Sequence, residues 1–137
     1  MPNESREHAL TMANEDYLEA IYRLAKDSVD GGVRSVDVAE MLGVSKASVN
    51  KAMSTLKEAG FVNQSRYGKV ELTEAGRVYA ADVWRCHRMV RDFLERDLGV
   101  DHETADEEAC LMEHALSHST MIKWMTYLEN QGFEVEG

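Results

Sequence analysis

At 137 residues, with 44% hydrophobic and 29% charged content, the chain has the make-up of a globular protein of one domain or two small ones. No apolar run approaches the roughly 20 residues of a membrane span, the stretch MPNESREHALTMANEDYLEA lacks the apolar centre of a signal peptide, and two cysteines, Cys86 and Cys110, are too few for a disulfide framework. Those features predict a reducing cytoplasm and no membrane partner, while the net charge of −10 speaks at first against a nucleic acid.

In chain order, NEDYLEAIYRLAKD spaces Tyr17, Leu18, Ile21, Tyr22, Leu24 and Ala25 as a helical stripe, and DSVDGG breaks it. SVDVAEMLG predicts a short helix with Ser35 as its cap and Gly43 as its end. SKASVNKAMSTLKEAG predicts a second, capped by Ser45, with Val49, Ala52, Met53 and Leu56 inward and Gly60 closing it. Two short helices about a Gly-containing turn form a helix-turn-helix pattern. FVNQSRYGKVELT alternates about a turn at Tyr67 and Gly68, as a hairpin does. Three further helices follow: a long one from its cap Thr73 to Gly99, one in DHETADEEACLMEHALS, and one in HSTMIKWMTYLENQG. The expected fold is mainly α: an N-terminal winged helix-turn-helix with a small β-hairpin wing over residues 1–75, then an all-helical module over residues 76–137.

The distribution of charge reverses the first impression. Residues 31–80 hold seven Lys/Arg against five acids, residues 1–30 three against seven, and residues 81–137 five against thirteen. Basic charge confined to one segment is what local contact with a polyanion needs. The second helix of a helix-turn-helix presents its N-terminal residues to the major groove. Here Ser45, Ser48 and Asn50 can hydrogen-bond to phosphates or base edges, Lys46 and Lys51 carry charge, and Ala47 is small enough to meet a thymine methyl. Ser35 opens the preceding helix, and the hairpin would bring Arg66, with Lys69 beside it, to the DNA backbone or minor groove. The plainer alternative is a helix pair with solvated polar residues.

A second constellation is spread over three helices. Cys110, Glu113 and His114 stand at i, i+3, i+4 in EEACLMEHALS and share one helical face. Asp16 and Glu19 lie one turn apart on the first helix, and His87 stands mid-helix in VWRCHRMVRDFL. These are six potential metal ligands, and each has a bland reading. Asp16 and Glu19 would suit the macrodipole in a first helical turn, a lone His among apolar neighbours packs in a core, and a small buried Cys is inert. The stripe Leu111, Leu116, Met121, Trp124, Met125 and Leu128 is expected to form a homodimer interface, with intramolecular core as its alternative.

NEDYLEAIYRL, VAEMLGVSKASVNKAMSTLKEAGFV, LTEAGRVYA, RCHRMVRDFL and EEACLMEHALS, in this order over a match from about Glu15 to Ser119, together resemble the diphtheria toxin repressor (DtxR/MntR) family. The resemblance implies a cytoplasmic, homodimeric, metal-activated transcriptional repressor that binds a double-stranded operator, controls metal-homeostasis genes and is not an enzyme. Residue by residue it places the metal ligands on Asp16, Glu19, His87, Cys110, Glu113 and His114, and it implies Mn(II) or Fe(II). The chain mixes two types. Manganese-type members carry aspartate where Asp16 stands, whereas iron-type members have methionine there and share the cysteine at Cys110. Carboxylates suit Mn(II), and a thiolate favours later, softer ions. The iron type's ancillary site has glutamate at Arg91 and histidine at Asp106, and a guanidinium there repels a cation. Ending without the SH3-like domain, the chain resembles the short, two-domain members. The rival expectations are a winged-helix regulator of an organic ligand, with the polar trio structural, and a small metallo-hydrolase, for which no nucleophile-base pair is readable.

Overall fold

The computed structural model describes residues 10–64 and 68–133. It divides into two compact units, Leu10–Ala81 and the segment from Asp82 onward. The division falls inside a helix rather than ahead of it.

In the first unit, α1 spans Met12–Ala25, α2 Ser35–Leu42 and α3 Lys46–Glu58, followed by the antiparallel strands β1 (Val62–Gln64) and β2 (Val70–Leu72). Helix α1 begins two residues before the stretch NEDYLEAIYRLAKD, because Thr11 is the N-cap and accepts the Asn14 N–H. Only Glu15 then lies in the first turn among the acids. The macrodipole reading of Asp16 and Glu19 is thereby corrected, since that effect fades beyond the first turn. Ser35 is likewise not a cap: it is the first helical residue of α2, and Arg34 occupies the cap position without a side-chain cap bond.

The turn between α2 and α3 is built as expected. Gly43 closes α2 at φ 66°, a left-handed conformation glycine adopts without strain. Ser45 caps α3, its Oγ accepting the Ser48 N–H at 3.1 Å. Leu18 and Ile21 of α1, Val38 of α2 and Val49, Met53 and Leu56 of α3 fill one core with Val62 and Val70 of the hairpin. Strand β2 is paired on both edges, with β1 on one side and with Val33 through a bridge on the other (Val33 N–H to Val70 O, 2.8 Å).

Helix α4 spans Glu74–Leu98 and crosses the division. Thr73 starts it, accepting the Gly76 N–H at 3.0 Å while its hydroxyl donates to the Gly60 carbonyl at 2.7 Å. In the second unit α4 continues into α5 (His102–Ala115, capped by Asp101) and α6 (His118–Asn130, capped by Ser117). Its core joins Cys86, Met89, Val90 and Leu94 of α4 to Ala105 and Ala109 of α5 and to Met121, Met125 and Leu128 of α6. With only Cβ atoms at Ala105 and Ala109, α5 can approach α4 closely. Among the described residues no helix is long and apolar enough to cross a membrane.

Candidate functional site

The amphipathicity of α3 settles which of its side chains face out. Val49, Ala52, Met53 and Leu56 are buried, which leaves Ser45, Lys46, Ala47, Ser48, Asn50 and Lys51 all exposed at the helix start. The Ser45 hydroxyl also lies 3.0 Å from the Ser48 hydroxyl, so these two groups are linked within the cap. Ser35 is half-buried at the start of α2. Arg34, one residue before it, is held by Asp37 at 3.0 and 3.1 Å. Arg66 lies outside the described residues. Lys69, beyond the hairpin turn, is engaged with Asp30 at 3.3 Å.

The six expected ligands divide between the units. Asp16 and Glu19 sit on successive turns of α1, both partly buried. In the second unit α4 carries His87, and α5 carries Cys110, Glu113 and His114. His87 is buried, and its two ring nitrogens face two different carboxylates of α5. Nε2 lies 2.7 Å from Asp106 Oδ1, a hydrogen bond. Nδ1 lies 3.6 Å from Glu113 Oε1, too far for one. Both side chains are less than a tenth exposed, at 7% and 6%. Trp84 stacks beneath the imidazole, ring centroids 5.5 Å apart and planes 12° from parallel.

The donor chemistry and this geometry fit a divalent cation. Two bonds of about 2.1 Å to one ion, at octahedral to tetrahedral angles, place their donor atoms about 3–3.5 Å apart. The His87 Nδ1 to Glu113 separation is close to that span. Buried charges are otherwise expensive unless paired or coordinated.

Asp106 belongs to this cluster and was not among the expected ligands. Its Oδ1 also accepts from Arg91 Nη1 at 3.1 Å. Burial pushes the Asp106 carboxyl up, but the hydrogen bonds from His87 and Arg91, and their charge, outweigh it and hold the group below the usual carboxylate value. Helical spacing carried the signal. Arg91 follows His87 by four residues, and Asp106 precedes Cys110 by four and Glu113 by seven, the same face in each case. In the first unit sequence reading also missed a buried acid: Glu15, inside the core edge of α1, accepts the Tyr79 hydroxyl.

The predicted dimer stripe splits. Met121, Met125 and Leu128 fill the core of the second unit, and Trp124 packs against that core, edge-on to Phe93 at 5.8 Å. Leu111 and Leu116 are on the surface, Leu111 at 55% exposure.

Two family profiles match the chain. Residues 9–70 match the family profile described as iron dependent repressor, N-terminal DNA binding domain. Residues 73–134 match the one described as iron dependent repressor, metal binding and dimerisation domain. The chain belongs to the iron-dependent (DtxR/MntR) repressor family. It is thus a metal-dependent, DNA-binding transcriptional repressor by family and not an enzyme, and nothing favours an organic ligand in place of the metal. An uncharacterised helix-turn-helix transcriptional regulator of Methanocaldococcus jannaschii is 32% identical over 120 residues, 88% of this chain and 95% of that protein. The transcriptional regulator MntR of Salmonella typhimurium is 34% identical over 122 residues, 89% of this chain and 76% of MntR. Among solved structures, a manganese-dependent transcriptional repressor complex with manganese superposes with a TM-score of 0.71 at 32% identity, covering 85% of this chain and 52% of that one. The chain therefore spans about half the length of that solved repressor.

In the iron-dependent repressor family frame, Asp16, Glu19 and the α3 residues fall in the DNA-binding match, and His87, Cys110, Glu113 and His114 in the metal-binding match.

Proposed function

We propose that this chain is a cytoplasmic, homodimeric repressor activated by Mn(II) or Fe(II), reading a palindromic operator and controlling genes of metal homeostasis. Residues 1–75 form its DNA-reading domain and residues 76–137 its sensing and dimerisation domain. The single observation that supports it is the buried His87 Nδ1 facing the Glu113 carboxylate at 3.6 Å, on the helix that also carries Cys110 and His114. Asp16, Glu19, His87, Cys110, Glu113 and His114 are the ligand set, combining three carboxylates, two imidazoles and one thiol. A bound divalent ion supplies positive charge that neutralises these clustered acids. Asp16 and Glu19 belong to the helix bundle that carries α3, so a ligand set including them makes occupancy matter to the reader. The operator response is limited to the difference in metal affinity between the DNA-competent and incompetent states. An ion binding only the competent state, at 100 times its dissociation constant, supplies about 2.7 kcal/mol, close to a hundredfold in operator affinity.

On the DNA side, Lys46, Ala47, Ser48, Asn50 and Lys51 enter the major groove, with Ser35, Ser45 and Arg66 at the backbone. Two such helices in a dimer fit half-sites about one helical turn apart. Leu111 and Leu116, exposed from the expected stripe, belong to the dimer surface. The test begins by selecting an operator from random duplexes with Mn(II)-loaded protein. Its affinity is then titrated anaerobically with Mn(II), Fe(II), Co(II) and Zn(II) at fixed salt. Saturable activation of about a hundredfold by Mn(II) or Fe(II), lost in a folded Glu113→Ala/His114→Ala variant, is the expected result. Operator binding indifferent to strong chelators would refute it.

A further inference from the structure

We propose that Asp106, itself held by Arg91, is a positioning residue that fixes the tautomer of His87 and turns its Nδ1, not its Nε2, toward the ligand face shared with Glu113. The inference rests on the reading above, in which His87 and Glu113 hold the ion, and it adds two residues that bind nothing themselves. A neutral imidazole carries its proton on one nitrogen only, and the partner of each nitrogen decides which. At Nε2 the partner is Asp106 Oδ1, 2.7 Å away. That oxygen already accepts from Arg91 Nη1 at 3.1 Å, and a guanidinium is always a donor. Two donors converge on one acceptor, so the ring gives its Nε2–H to Asp106. The lone pair of the neutral ring is then on Nδ1, which faces Glu113 Oε1 at 3.6 Å.

The supports of this relay are themselves fixed. Arg91 is 17% exposed, and its Nε lies 3.8 Å from carboxylate oxygens of both Asp92 and Glu95, which keep the guanidinium beside Asp106. Trp84 stacks on the imidazole and sets its plane. A carboxylate hydrogen-bonded to the remote nitrogen of a ligand histidine both orients the ring and raises its basicity. Losing such a partner costs about 10–100-fold in metal affinity.

The test uses full-length protein with 15N-labelled histidine. Long-range 1H–15N correlation spectra of the metal-free protein report which His87 nitrogen carries the proton, and calorimetry gives the affinity for Zn(II), a diamagnetic probe, and for Mn(II). The expected result is an Nε2–H tautomer in the wild type and a coordination shift confined to Nδ1 on adding Zn(II). Asp106→Ala should mix the tautomers and weaken both ions about 10–100-fold, with helicity unchanged by circular dichroism. Asp106→Asn, which keeps an acceptor oxygen, should restore the Nε2–H tautomer and part of the affinity, a rescue that mere packing does not provide. A proton on Nδ1 in the metal-free wild type would overturn the proposal. So would a folded Asp106→Ala variant with wild-type affinities, which leaves the metal function standing. A wild type that binds neither ion overturns the function proposed above and, with it, the ligand role of His87.

Discussion

The two units place their charge in opposite ways. At the start of α3 the polar residues Ser45, Lys46, Ser48, Asn50 and Lys51 all stand in water, over a layer of Val49, Ala52 and Met53. In the second unit His87 and Glu113 point inward, less than a tenth exposed, with Asp106 hydrogen-bonded to the ring and Arg91 to Asp106. The difference matches the partner proposed for each surface. A polyanion is a large surface met by charges that stay hydrated until contact, and its attraction acts through solvent. A single cation is held by donors whose desolvation was met during folding, so that they have few better partners than the ion.

Salt should separate the two most sharply. If about six phosphates are contacted, operator affinity falls roughly a thousandfold between 50 and 200 mM salt. Lys51→Ala should lower the slope of log affinity against log salt by about one. Affinity for Mn(II), measured by calorimetry over the same range, should move by less than about tenfold, because buried donors are poorly screened. A metal affinity that falls as steeply as the DNA affinity would erase the contrast.

A steric change confined to the first compact unit comes next. Gly76 lies in the first turn of α4, where an added Cβ would stand 2.0 Å from the Phe61 carbonyl oxygen. The obstacle is backbone, locked by the Thr73 bonds to Gly60 and Gly76, so it cannot turn aside. Gly76→Ala should cost about 3 kcal/mol or more. Urea unfolding gives the magnitude, and hydrogen exchange should place the loss of protection in α1 to α3, with α5 and α6 unchanged. Equal loss in α5 and α6 would mean that the two units melt as one.

Much of this arrangement was legible beforehand because helices write their faces into the sequence every 3.6 residues. That period gave the element order, the inward set of α3 and the shared face of Cys110, Glu113 and His114. It is silent on pairings with no repeat. The Val33–Val70 bridge joins single residues far apart in sequence, so nothing local announces it. Nor does a stripe say what covers it: Met121, Met125 and Leu128 are as apolar facing their own core as facing a second copy. The Thr11 cap was missed because the apolar stripe begins well inside the helix, and the macrodipole reading of Asp16 and Glu19 failed with it. The Asp106 partnership was on the page as an i, i+4, i+7 face, but helix α5 had to be laid against α4 before His87 could claim it.

The smallest effect concerns an exposed charge of the reader. Asp30 has its carboxyl lowered to about 2, first by the Gly32 N–H, then by the Ser28 hydroxyl and by Lys69. The Gly32 and Ser28 bonds, at 2.9 and 3.0 Å, tie it into the turn between α1 and α2. Its folded-state value lies below the ordinary value near 3.9. The associated stability is therefore fully present above about pH 4 and is lost as pH falls toward 2. Asp30→Asn should lower Tm slightly and by the same amount at pH 7 and pH 5, with the gap to wild type closing below about pH 4. Being fully solvated, the group can contribute only a little, and Lys69 should lose most of its share in high salt while the Gly32 bond keeps its own. Identical melting curves at pH 7 would show that even this well-bonded surface carboxylate does nothing for the fold, sharpening its contrast with the buried set around His87.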